Sequence, residues 1–289
     1  MTKSLLGNYL RFLRSPNLND PPVAVSAPQA AKSILRLYSV HLVAMLIVLS
    51  LLSLIPAIQD SNNLLDSAED LPVWYLPFAA VVMAPLLEES IFRLPLRAFW
   101  INLFISAALI ALGALGAVSN PSILLLLLAC AILVAVYAKD KGSRLNTLQA
   151  FYNRFSFIIF YAIAILFGAA HIANYDPEVW KFLPVLVLPQ VVIGLLLGFV
   201  RLRYGLTWSI LLHALHNGCL LLPIFIIQMF GSEKLQESMT QSLDMKALSP
   251  SDQLISGAIS LYTMGGIVLC GIIAWKVVRE WKRQTADTK

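Results

Sequence analysis

The chain has 289 residues, of which 58% are Ala, Val, Ile, Leu, Met, Phe, Trp, Tyr or Cys and 13% are charged, with a formal net charge of +5. Soluble domains are roughly 45–50% apolar even with glycine counted and about 25% charged, so a soluble enzyme, a secreted disulfide scaffold and a disordered tail are excluded. The apolar runs are continuous and lack the two-residue alternation of barrel strands, which excludes an outer-membrane barrel.

In chain order, residues 4–14 (SLLGNYLRFLR) predict a helix lying at the membrane interface, and 15–31, polar and proline-containing, read as linker. Residues 1–34 thus form an N-terminal segment without the apolar core of a cleavable signal. Eight stretches then approach the ~20 residues that a ~30 Å hydrocarbon core demands: 35–57, 71–98, 99–116, 121–138, 155–174, 181–201, 205–229 and 255–276. The expected fold class is all-α, a polytopic membrane protein whose eight transmembrane helices bundle around an intramembrane polar cavity. The helical domain covers 35–277, and 278–289 form a cytoplasmic tail. The polar stretch 231–254 faces the opposite side. Cys130, Cys219 and Cys270 fall inside apolar segments as small hydrophobes, Gly194 and Gly198 make a small-xxx-small packing seam, and His41 reads as structural.

Charge sets the orientation. Of the 21 Lys and Arg residues, only Lys181, Lys234 and Lys246 fall on one side of this eight-span topology, and the positive-inside rule makes the basic side cytoplasmic. Both termini are therefore expected in the cytoplasm, with a bacterial inner membrane as the expected location. The pI near 9.1 needs no nucleic-acid partner, because the basic residues lie on turns beside anionic headgroups.

Ionisable groups within a bilayer cost at least ~2.5–3.5 kcal/mol on insertion scales and mark function. Three clusters qualify. In EESIFR, Glu89 and Arg93 are four apart with the acid first, the order that suits an ion pair, while Glu88 sits about 100° round and is left as a free carboxylate. In FGAAHIAN, Phe167 precedes His171 by four and packs beside the imidazole, and Asn174 caps the helix or faces the cavity. In HALHN, His213 and Asn217 share a face and can donate to one oxygen, with His216 one step off that face as a candidate lining of the cavity. Together these groups suffice for amide hydrolysis without a serine or cysteine nucleophile: Glu88 and His171 polarise water, and His213 and Asn217 stabilise the oxyanion. Gln190, beside Pro189, lines the cavity or bonds another helix at a kink.

These residues resemble the CPBP family of CAAX proteases and bacteriocin-processing (Abi) enzymes, which includes the type II CAAX prenyl endopeptidases. Its pattern, EExxxR, then FxxxH, then HxxxN, is matched in order by Glu88, Glu89 and Arg93, by Phe167 and His171, and by His213 and Asn217, within residues 71–220. The resemblance implies a glutamic intramembrane protease in which Glu88 with His171 activates water, His213 and Asn217 form the oxyanion hole, and Glu89 with Arg93 shapes the site. The partner it implies is a membrane-associated peptide or protein, prenylated in the type II enzymes, in contact with the lipid bilayer. The departure is an extra helical hairpin at 99–138 between the first two motifs, which restores the original orientation.

No cofactor or metal is expected on this reading. Two alternatives stand beside it: a zinc hydrolase with Glu88, His171 and His213 as ligands, and a catalytically silent membrane protein serving bacteriocin immunity, scaffolding or transport.

Overall fold

The computed structural model describes residues 4–52, 54, 72, 74–97, 150–175, 177–237 and 248–286. Its principal elements are all helical: α1 (Leu5–Arg14), α2 (Ala27–Leu52), α3 (Tyr75–Leu96), α4 (Ser156–Ala170), α5 (Leu188–Tyr204), α6 (Leu206–Phe230), α7 (Glu233–Glu237) and α8 (Pro250–Ala286). The predicted hairpin at 99–138, with Cys130, lies outside the described residues.

Four helices, α2, α3, α6 and α8, are long and apolar enough to cross a membrane, and α5 joined to the preceding segment Pro177–Leu186 through a 45° bend makes a fifth. The described residues thus give four or five such helices rather than the expected eight. Two of the eight fall in the hairpin, and α4 is only 15 residues long because it tightens at Ala170 into the 3-10 turn His171–Asn174. The bend has a local cause: Pro189, in the first turn of α5, lacks the N–H that would continue the ladder across the break. Leu261 and Met264 on α8 are 75% and 66% exposed, as lipid-facing side chains are.

Both helix starts near the N-terminus are capped. The Ser4 hydroxyl accepts the Gly7 N–H at 3.0 Å to begin α1, and the Ser26 N–H donates to the Gln29 side chain at 3.2 Å, which with Pro28 starts α2 at Ala27, earlier than the predicted 35. α1 is amphipathic, as expected, but its apolar face is enclosed by protein. Leu6, Tyr9 and Phe12 are buried, with Phe12 edge-on to Phe160 and Phe199 and Tyr9 edge-on to His41 and Phe199. At the opposite end, Ser249 caps α8 by accepting the Asp252 N–H, and Asp252 in turn accepts from the Ser232 N–H and the Ser232 and Ser249 hydroxyls, which hold its carboxyl below the usual range and tie α7 to α8.

α5 is the central helix, packed on α2, α4 and α6 with Leu196, Leu197, Val200 and Leu202 fully buried. The glycine seam brings α4 close: a Cβ on Gly198 would stand 2.8 Å from the Phe160 ring, and one on Gly194 3.1 Å from the Phe167 ring. Gly205, at φ 107° and ψ 169°, turns the chain from α5 into α6 within one residue, in a backbone region essentially confined to glycine. This reversal sets HALHN against EESIFR.

Candidate active site

α3 carries the carboxylates, and its helix is irregular one turn before them. Residues Ala79–Met83 form a π-turn in which the Ala84 N–H bonds the Ala79 carbonyl instead of the Ala80 carbonyl. The next N–H able to reach the Ala80 carbonyl would belong to residue 85, and Pro85 has none. Asn217 on α6 fills the gap, its Nδ2 donating to the Ala80 carbonyl at 2.8 Å. An unpaired buried carbonyl costs roughly 1–3 kcal/mol, so this bond stabilises the π-turn and fixes how the two glutamates leave it.

Glu89 is wholly buried. Its carboxylate accepts from His213 Nδ1 at 3.0 Å and from the Ser209 hydroxyl, and Arg93 Nε stands 3.6 Å away. Ser209 also contacts the Leu197 carbonyl at 3.0 Å. Arg93, equally buried, donates from Nη2 to the Gly194 carbonyl at 3.3 Å, and its guanidinium lies 4.1 Å over the Phe167 ring. The Glu89 and Arg93 pair expected from their spacing is therefore present, with His213 and Ser209 completing the shell of the carboxylate.

Glu88 is the free carboxylate of the pair. Its Oε2 has no hydrogen-bond partner and stands 3.8 Å from His171 Nε2 and 3.8 Å from His213 Nε2. That separation is too long for a hydrogen bond and short enough for one small group to touch all three atoms. The far nitrogen of each imidazole is anchored. His171 Nδ1 meets the Phe167 carbonyl at 2.8 Å, which can only accept, so Nδ1 carries the proton and Nε2 presents its lone pair. His213 Nδ1 faces Glu89. Phe167 joins the parts: its ring is edge-on to His171 at 4.9 Å and to His213 at 5.7 Å, beneath Arg93.

Glu88, Glu89, Arg93, Phe167, His171 and His213 thus converge in one cluster, and Asn217 lies one helical turn beyond His213. His216, expected near the cavity, is turned instead toward α2, where its Nδ1 pairs with the Tyr38 hydroxyl at 3.1 Å. His216 lies about 60° round α6 from His213, on the edge of that face nearer α2, and Tyr38 is what it meets. Asn174 ends the 3-10 turn after His171. The Gln190 carboxamide oxygen is enclosed without a hydrogen-bond partner. Ser209 was not among the expected residues, although its signal exists: Ser209, His213 and Asn217 recur every fourth residue on one face of α6. Among the described residues no group of three or more His, Cys, Asp or Glu side chains is disposed to hold a metal ion.

A helical fold with spans long and apolar enough to cross a bilayer, and with paired carboxylates and imidazoles gathered between its helices, defines an integral membrane protein. A family model for type II CAAX prenyl endopeptidase Rce1-like proteins matches residues 70–219, the stretch containing α3 to α6 up to the third motif. The chain belongs to this family of membrane proteases. No curated protein and no solved structure matches it.

Proposed function

We propose that the chain is an intramembrane glutamic endopeptidase that hydrolyses a peptide bond of a membrane-associated, prenylated peptide or protein. The observation that carries this reading is the position of Glu88 Oε2, unpartnered and 3.8 Å from the Nε2 atoms of both His171 and His213. Glu88, aided by the His171 lone pair, takes a proton from water as the water oxygen bonds to the scissile carbonyl carbon. The oxyanion so formed is stabilised by His213 as imidazolium, held by Glu89, and by the second N–H of the Asn217 amide, whose first N–H is fixed on Ala80. The carbon–nitrogen bond then breaks, and Glu88 returns its proton to the leaving amine. Arg93 stabilises the Glu89 charge and keeps Phe167 in place, so neither takes part in proton transfer. This chemistry uses no resident metal. Lys and Arg distribution supports a bacterial inner membrane with both termini cytoplasmic.

The test is cleavage of fluorogenic peptides, S-farnesylated and unmodified, each ending in a CAAX sequence, by detergent-purified protein and its Glu88→Gln and His171→Ala variants, with and without chelator. Chelator-resistant turnover that falls at least about 100-fold in both variants is expected. Turnover abolished by chelator and restored by zinc would move Glu88, His171 and His213 to a ligand role. Absence of turnover in folded wild-type protein would favour the catalytically silent reading.

A further inference from the structure

One face of α5 is given over to the EESIFR segment. The Gly194 carbonyl accepts from Arg93, the Leu197 carbonyl contacts the Ser209 hydroxyl that holds Glu89, and Arg201 Nε donates to the Arg93 carbonyl at 3.1 Å. Positions 194, 197 and 201 are three and four apart, so they form a single stripe on the helix. The next position back along that stripe is Gln190. Since α3 and α5 both run toward the end where Arg93 and Arg201 meet, a step from Gly194 back to Gln190 matches the step from Arg93 back toward Glu89 and Glu88. The neighbouring α4 agrees: it runs the other way, Gly194 lies against Phe167, and one turn beyond Phe167 is His171.

Every other member of the stripe has its partner, whereas the Gln190 carboxamide oxygen is enclosed and has none. Buried acceptors are ordinarily paired. A polar side chain one turn along the stripe from the Arg93 contact, with its oxygen enclosed yet unpaired, suits a donor that arrives from outside. Resting on the endopeptidase reading above, we infer that Gln190 binds the substrate backbone: its oxygen accepts a peptide N–H next to the scissile bond, and its amide nitrogen is free to donate to a neighbouring peptide carbonyl. An extended peptide offers such a donor and acceptor at every residue, so the contact positions any sequence without reading side chains. The prenyl group and the side chains would then be selected elsewhere.

The experiment uses the full chain, a fluorescent S-farnesylated peptide ending in a CAAX sequence, and copies of that peptide N-methylated at one backbone nitrogen at a time. Binding is measured in the Glu88→Gln background, and turnover in the otherwise native chain. Gln190→Met, nearly isosteric, and Gln190→Leu are expected to weaken binding about tenfold or more and to raise KM to match, with kcat within about threefold, while the thermal midpoint stays level or rises because an unpaired buried acceptor is gone. One N-methylated peptide should lose about tenfold on the Gln190-containing chain and nothing further on Gln190→Met. Binding within twofold in both variants, or an N-methyl penalty equal in both chains, overturns the assignment, as does failure of the Glu88→Gln chain to bind the peptide. Undiminished turnover by Glu88→Gln would sink the glutamic mechanism instead, leaving the binding comparison to decide Gln190 on its own.

Discussion

Glu89 lies 0% exposed among three partners. A carboxylate taken out of water is tolerated only while its hydrogen-bonding and charge partners persist, so each partner has an effect out of proportion to its size. Ser209 is the smallest. Ser209→Ala removes a hydrogen bond to a charged group and is expected to lower the unfolding free energy by about 1.5–3 kcal/mol in detergent. It also loosens the group that orients His213, so kcat should fall about tenfold, equivalent to about 1.4 kcal/mol of lost transition-state positioning. Unchanged kcat with lowered stability would mean that Glu89 orients His213 without help from Ser209. At this scale most of the site is legible in the sequence, because charges and imidazoles in apolar runs are conspicuous. Ser209 is not, since serine in a membrane helix commonly bonds its own backbone, as Ser39 and Ser90 do here.

At the scale of the helix, the irregular part of α3 decides which way the glutamates face. A π-turn holds one more residue than an α-turn, so everything after it is rotated by about 100° relative to a regular helix. Read as a regular span, 71–98 gives the relation of Glu88 to Glu89 and Arg93, which lie on the same side of the irregularity. It cannot give their relation to Trp74 or Phe78, which lie before it. Pro85 is the sequence signal for the break, but a proline in a membrane helix is satisfied in several ways, and only the partner on α6 shows which. The same partner makes the arrangement testable. Asn217→Ala strands the Ala80 carbonyl and should destabilise the protein by about 1–3 kcal/mol. Pro85→Ala returns an N–H to the ladder, so in that background the cost of Asn217→Ala should fall to less than half. Thermal unfolding of the four proteins of this cycle measures the coupling, and equal costs in both backgrounds would show that Asn217 stabilises something other than the Ala80 carbonyl.

The whole molecule has its two ends joined at one face of the bundle. α1 lies against the close of α8, where a Cβ on Gly7 would meet the Trp281 ring at 3.2 Å, and Arg36, in the first half of α2, pairs with Glu280. The Val23 N–H bonds the Arg203 carbonyl at 2.8 Å, and Arg97 reaches the carbonyls of Asp20 and Leu202, so the ends of α3 and α5 meet the same face. Composition and hydropathy made a helical membrane protein legible but left the burial of α1 unreadable, since an amphipathic helix facing lipid headgroups and one facing a groove have the same pattern. The span count is likewise sensitive to where short apolar helices stop, as α4 illustrates. The shared face of the termini does not depend on that count, because the contact of α1 with the end of α8 gives it directly. Residues of this face include Arg11, Arg14, Arg36, Arg97, Arg201, Arg203 and Arg279, and the orientation proposed above from the positive-inside rule puts this basic face in the cytoplasm. Fusions of a folding-dependent cytoplasmic fluorophore to residue 1 or residue 289 should therefore both be bright in bacterial cells, whereas an export-dependent phosphatase inserted in 238–247 should be active. A dark fusion at one terminus alone would require an odd number of crossings, and dark fusions at both would invert the protein and place the Arg97 and Arg201 end of the site outside.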